Sequence, residues 1–201
     1  MIRVARQSPP RSFAKKVRSP GNAWLAQKGL NLAKPLPKGA KPPPYWRACL
    51  SDLHKRYQGV CAYLAVYVEV AAGGVSVDHF VAKSALAGQT YDWNNYRLAC
   101  STMNARKRAF DDVLDPFTLP LHVGVFHLEL LSGRIFVNPL VPQPLKNQAN
   151  ETITRLKLDN GVNRKMRARH FADYAGKHIS KTVLQRDSPF VYAEVVRQGL
   201  L

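Results

Sequence analysis

The sequence predicts an α+β fold, and three observations carry that expectation. Two short strand-like runs, Val75–Phe80 (VSVDHF) and Arg97–Cys100 (RLAC), flank a polar loop, and a basic segment of helical character follows at once from Met103. A second strand pair reads out of the stretch from Val123 to Leu140, where Phe126, Leu128 and Leu130 alternate with His127 and Glu129 ahead of a Ser132-Gly133 turn. Helical spacing covers much of the remainder, with Trp46, Leu50 and Leu53 four and three residues apart. At 201 residues the chain is long enough for one real core and short for two independent ones.

Taken in order, residues 1–45 are a basic, proline-rich extension with ten Lys or Arg and no acidic residue. Prolines, ending in Pro42–Pro44, argue against long regular elements there. The segment reads either as a disordered arm or, anchored by Phe13, Trp24, Leu25 and Leu30, as a clamp on nucleic acid or a strap on a partner. Residues 46–141 hold the core: a helix from Tyr45 to about Tyr57 stopped by Gly59, a strand from Cys61 to Val70, the two short strands around the polar loop, and the hairpin. Tyr91, Trp93 and Tyr96 in that loop suit either stacking on bases or a small core. Residues 142–201 read as an α-rich tail on the same domain, with one helix starting near Asn150 or Thr152 and a second from Asn163 to about Lys177. The last segment, Ser188–Gln198, reads as strand or short helix.

Charge narrows the function. Thirty Lys and Arg against 13 Asp and Glu give +17, an excess that favours polyanions through counterion release, DNA or RNA first, an acidic partner or anionic lipid surface otherwise. No apolar stretch is long enough to span a bilayer and no signal-peptide core follows the early arginines, so a cytoplasmic location without membrane contact is expected. Three cysteines make no disulfide framework.

The polar residues between Asp78 and Lys107 carry the chemistry. Asp78 and Asn104 offer hard oxygen ligands suited to Mg²⁺ or Mn²⁺, and His79 can take a proton from an attacking water near neutral pH. That set suits phosphodiester hydrolysis with one cation polarising the phosphate. Lys107 and Arg108 lie one turn beyond Asn104, in reach of a scissile phosphate or as a solvated helix face. Asp111 and Asp112 are weaker candidates for a further ligand, and His122 and His127 read as surface or supporting residues.

This block resembles the HNH, or ββα-metal, nuclease motif. Asp78 and His79 match its Asp-His pair, Asn95 its central Asn, Asn104 its last position and Lys107 the basic residue that follows. The wider run, CAYL at Cys61–Leu64, VDHFVAKS, YDWNNYRLAC and DPF at Asp115–Phe117, resembles a bacterial group of small HNH proteins that includes the nuclease partner of the ATPase in Septu-type and retron-linked anti-phage systems. The resemblance implies a ββα-metal core with added helices and a hairpin, a metal-dependent endonuclease acting on DNA, and an ATPase partner. It implies for Asn95 the fixing of the loop and the orienting of His79. Relatives carry two CxxC knuckles around a structural zinc; here Leu64 and Met103 stand where the second thiolates would be, so the zinc is expected to be missing and its space filled by apolar packing. Expected DNA contacts are Arg3, Arg6, Arg11, Lys15, Lys16 and Arg18 in the arm, with Arg106, Arg164 and Arg167. The alternative is a nucleic-acid-binding or assembly subunit that keeps the frame without catalysis.

Overall fold

In the computed structural model, which describes residues 1–201, seven α-helices and two two-stranded antiparallel sheets make an α+β protein. The chain divides into two units interleaved along the sequence. Residues 6–59 and 69–111 form the hairpin unit; residues 1–5, 60–68 and 112–201 form the helical unit. No helix is long and apolar enough to cross a membrane.

The hairpin unit begins with a correction. The proline-rich segment holds a π-helical turn, Ala14–Arg18, that runs straight into α1, Ser19–Gln27. Pro20 lacks an N–H and would crowd the carbonyl four residues back. The widened turn before it, in which Ser19 N–H reaches the Ala14 carbonyl, lets the helix pass through that position. Phe13, Val17 and Leu25 are buried along the inner face, while Lys15, Lys16 and Arg18 face out. A 3₁₀ turn, Tyr45–Cys49, leads into α2, Leu50–Arg56, and Gly59 stops the chain at φ +71° as its position predicts.

Strand β1 (Val75–His79) pairs antiparallel with β2 (Tyr96–Cys100), Val75 opposite Cys100 and His79 opposite Tyr96. Helix α3, Ser101–Lys107, follows β2 with no linker. Neither Ser101 nor Thr102 caps it: Cys100 holds the cap position without a side-chain bond, and Ser101 N–H donates instead to the Gly74 carbonyl at 2.7 Å. The polar loop is built on its aromatics, which are core and not base-stacking platforms. Tyr91, Trp93 and Tyr96 are buried, Phe13 meets Trp93 and Tyr96 edge-on at 5.4 and 5.9 Å, and Trp93 Nε1 donates to the Gln7 carbonyl at 2.7 Å.

In the helical unit the expected strand from Cys61 is absent. Residues 61–66 are buried, but the Cys61 N–H donates to the Val66 carbonyl at 2.9 Å and Ala65 takes φ +51°, which folds the run into a tight turn closed by a single bridge between Val60 and Tyr67. Its apolar content reflects burial, which strand and turn share. The predicted hairpin is β3 (Phe126–Glu129) and β4 (Arg134–Val137). Helix α4 runs from Gln143 to Leu156, seven residues earlier than Asn150, because Pro144 sits in its first turn where no N–H is needed. Then come α5 (Gly161–Ala175), α6 (Lys181–Asp187) and α7 (Pro189–Arg197), so the last segment is helical. Asp159 ties the α4–α5 corner to β4, accepting from Ile135 N–H and from Arg164 Nε at 2.9 Å each.

Gly21 tests the packing of α1. Helix propensity alone favours Ala there by about 1 kcal/mol. A Cβ on Gly21 would fall 2.2 Å from Tyr91 Cγ, well inside contact distance, and overpacking of that kind costs about 1–3 kcal/mol. Gly21→Ala is therefore expected to lower stability in urea unfolding; a gain would show that α1 does not pack as described.

Candidate active site

Strand β1 and helix α3 converge at the site because β2 joins them directly. Asp78 and His79 close β1, and Asn104 lies in α3 one turn before Lys107. Asp78, His79 and Asn104 all line one open cavity of about 640 Å³, together with Trp46, Lys83 and Arg108. Three segments far apart in sequence thus meet where Lys38 and Ala40 of the proline-rich segment close the other wall.

His79 is 6% exposed and held on three sides. Its Nε2 lies 2.9 Å from the Thr90 carbonyl; a carbonyl can only accept, so Nε2 carries the proton and Nδ1 keeps its lone pair. The rings of Trp46 and Tyr96 stand edge-on to it at 4.9 and 5.0 Å. Tyr96 Oη donates to the same Thr90 carbonyl at 2.9 Å. Burial pushes the imidazole pKa down to about 3, Lys83 and Lys107 push the same way, and the Thr90 bond works against them. The ring is a neutral acceptor through the physiological range. Lys83 Nζ rests over the Trp46 ring at 4.6 Å, and its own pKa is lowered by burial against the pull of Asp78.

Asn104 is oriented by donation. Its Nδ2 reaches Ser76 Oγ at 3.2 Å and the Val77 carbonyl at 3.3 Å, which leaves Oδ1 as its ligating atom. Ser76 Oγ in turn donates across the hairpin to the Ala99 carbonyl at 3.0 Å. Asn95 closes the loop behind His79: Oδ1 accepts from Val81 N–H at 2.7 Å, and Nδ2 donates to the carbonyls of Val81 and Gln89 at 2.9 and 3.0 Å.

Lys107 departs from its expected place. It is fully buried, with Nζ 2.6 Å from the Phe80 carbonyl, 3.3 Å from the His79 carbonyl and 3.8 Å from Asp78 Oδ2. A side chain held inside this way braces the floor of the site and does not reach for a phosphate; Arg108, exposed after the helix and lining the cavity, is the cation at its rim. Arg167, expected on DNA, is also internal, donating to the Gly133 carbonyl of the hairpin turn at 3.2 Å and to the Leu158 carbonyl of the α4–α5 corner at 2.8 Å. Arg164 pairs with Asp159. Arg3 donates to the Leu119 carbonyl, Arg6 and Arg11 are exposed with Lys15, Lys16 and Arg18, and Arg106 is half-buried.

Asp112 pairs with Arg155 at 2.9 Å, His122 is exposed, and His127 Nδ1 pairs with Glu194 at 3.0 Å inside the helical unit. No three His, Cys, Asp or Glu side chains come together as a metal-holding group. Cys49, Cys61 and Cys100 form no disulfide; Leu64 and Met103 are both buried, in different units. Sequence reasoning missed Thr90, Ser76, Lys83 and Trp46. Thr90 acts through a carbonyl that any residue supplies, so no signal marks it, whereas Lys83, a cation four residues after His79 in a loop, was a readable one. Comparison with protein-family models and with curated proteins returns no match.

The His79 geometry sets a pH dependence. With its folded pKa near 3 and an ordinary unfolded value of 6.5, the unfolded chain binds more protons between those limits, so stability falls as pH drops. In chelator, His79 should cost the protein about 2 kcal/mol between pH 7 and pH 5. His79→Asn should remove that part of the slope in urea unfolding, and equal slopes in the two proteins would contradict the placement.

Proposed function

We propose that this chain is a metal-dependent endonuclease of the HNH, ββα-metal type, hydrolysing phosphodiester bonds in DNA. One observation carries the reading: Asp78, His79 and Asn104 line a single cavity, His79 and Asn104 each held there by hydrogen bonds. The finer fold follows from it, with β1, β2 and α3 as the ββα element and the other helices and hairpin as additions.

The donor set suits the cation. A carboxylate from Asp78 and an amide oxygen from Asn104 are hard ligands of the kind Mg²⁺ and Mn²⁺ take, with substrate phosphate completing the shell. When bound, the ion would polarise the phosphate and offset the charge that develops in the transition state. His79 does the proton work: its Nε2 is occupied by the Thr90 carbonyl, so Nδ1 takes the proton from the attacking water. Arg108 offers charge-assisted bonds to the phosphate or the flanking strand from the cavity rim. Lys107 fixes the strand end that presents Asp78 and His79.

A second reading, a DNA-binding or assembly subunit without catalysis, is favoured by one distance. Lys107 Nζ lies 3.8 Å from Asp78 Oδ2 and competes with a cation for that carboxylate. The shortest bond of that ammonium goes to the Phe80 carbonyl at 2.6 Å, which seats it at the strand end, so the enzyme reading stands first.

Loss of His79 separates the two. His79→Ala should lower cleavage of supercoiled DNA in Mg²⁺ by roughly 10²-fold or more while DNA binding stays near wild type; undiminished cleavage would remove the mechanism. The resemblance to the small HNH proteins extends the proposal to anti-phage defence with an ATPase subunit. Tagged protein purified with its neighbouring gene products should retain a stoichiometric ATPase, and a chain that stays alone and fully active would refute that partnership.

A further inference from the structure

A second cavity lies beside the first and shares its rim. It measures about 500 Å³ and is lined by Trp24 and Lys28 of the α1 end, Leu30, and Lys41. Pro37, Gly39 and Ala40 line both cavities, so one turn of the proline-rich segment forms a ridge shared by the candidate active site and this neighbour. Both belong to the hairpin unit.

Three features describe an occupant. The first is charge: Asp78 is the sole carboxylate lining either cavity, against Lys28 and Lys41 in one and Lys38, Lys83 and Arg108 in the other. A polyanion that runs through both meets cations on each side of the ridge. The second is rigidity. The segment that forms the ridge is pinned before it, where Ala87 N–H donates to the Lys34 carbonyl at 2.9 Å and Gly88 N–H to the Leu32 carbonyl at 3.0 Å. It is pinned again after it, where Tyr91 Oη donates to the Pro43 carbonyl at 2.9 Å. Gly39 takes φ +85° and has nothing within 4 Å of where a Cβ would stand, so no side chain fills the space at that point of the ridge. The third is Trp24, half-buried and one helical turn from Lys28, an aromatic and a cation side by side in a concave wall.

We propose that this second cavity seats a nucleotide flanking the cleaved one, with its base on Trp24 and its phosphate on Lys28 and Lys41, and that the substrate in this region is an unpaired strand. The inference rests on the nuclease reading, which makes the first cavity the place of cleavage. Base faces inside a duplex are covered by their neighbours, so a tryptophan in a pocket meets one only when the strand is single or the base is flipped. Stacking of this kind tolerates any base, which agrees with a site that reads backbone and not sequence.

Binding of the full-length chain to short oligo-dT, oligo-U and a duplex of equal length, measured by fluorescence anisotropy in EDTA, tests this without any cleavage. One of the single strands should bind more tightly than the duplex, whichever sugar it carries. Trp24→Leu should weaken that binding about tenfold or more, while Trp24→Phe, which keeps a stacking face, should retain most of it. Lys28→Glu and Lys41→Glu, both exposed, should weaken binding and flatten its salt dependence even if Trp24→Leu fails to fold. A duplex bound as tightly as both single strands, or Leu and Phe variants that bind alike, would overturn the proposal. Cleavage in Mg²⁺ is scored separately: an inactive wild type with the Trp24 effect removes the nuclease reading and leaves the strand seat, and an active enzyme without the effect does the reverse.

Discussion

An ammonium group with no exposed surface must find acceptors or lose its charge, and Lys107 finds them at the end of β1. Its bonds to the Phe80 and His79 carbonyls fasten α3 to the two residues that follow Asp78, at the end of the strand ladder. Asn104, one turn earlier on the same helix, is thereby held against Ser76 and Val77 of the neighbouring strand. Arg97 works beside it: buried, it donates to the Asn94 and Tyr96 carbonyls, and both cations lie 5.0 Å from the Phe80 ring centroid. The short hairpin and seven-residue helix are too small to fix one another through apolar burial alone. Two internal cations give them a defined geometry, and the cavity inherits it.

The same view changes the meaning of the net charge. Of the cations that read as a nucleic-acid surface, Lys107 and Arg167 are internal braces and Arg164 is engaged by Asp159. What faces outward is narrower: Arg6, Arg11, Lys15, Lys16 and Arg18 near the start of the chain, and Lys38 and Arg108 at the cavity. Composition counts all of these equally, and only burial and partners tell them apart.

Local pattern was enough for the pieces that local physics decides. The two short strand-like runs became β1 and β2, the alternation around Ser132-Gly133 became β3 and β4, and α2 stopped ahead of Gly59. The meeting of Asp78, His79 and Asn104 in one cavity was legible as an expectation from residue chemistry. What escaped was decided by tertiary context. A lysine three residues after an asparagine has the same spacing whether it faces water or a pair of carbonyls, so Lys107 could not be turned inward on sequence grounds. Pro20 reads as a helix stop unless a π-turn precedes it. Cys61–Val66 is as apolar as a strand because it is buried, and its turn is set by hydrogen bonds that composition does not encode.

The central claim is that Lys107 braces the proposed cation site without occupying it. A crystal of the chain soaked in Mn²⁺ and recorded at the manganese absorption edge tests that directly. The account predicts one anomalous peak in the cavity beside Asp78 and Asn104, with Lys107 Nζ still bonded to the Phe80 carbonyl. No peak at that position under saturating Mn²⁺, with the Lys107 ammonium closed onto Asp78, would contradict it.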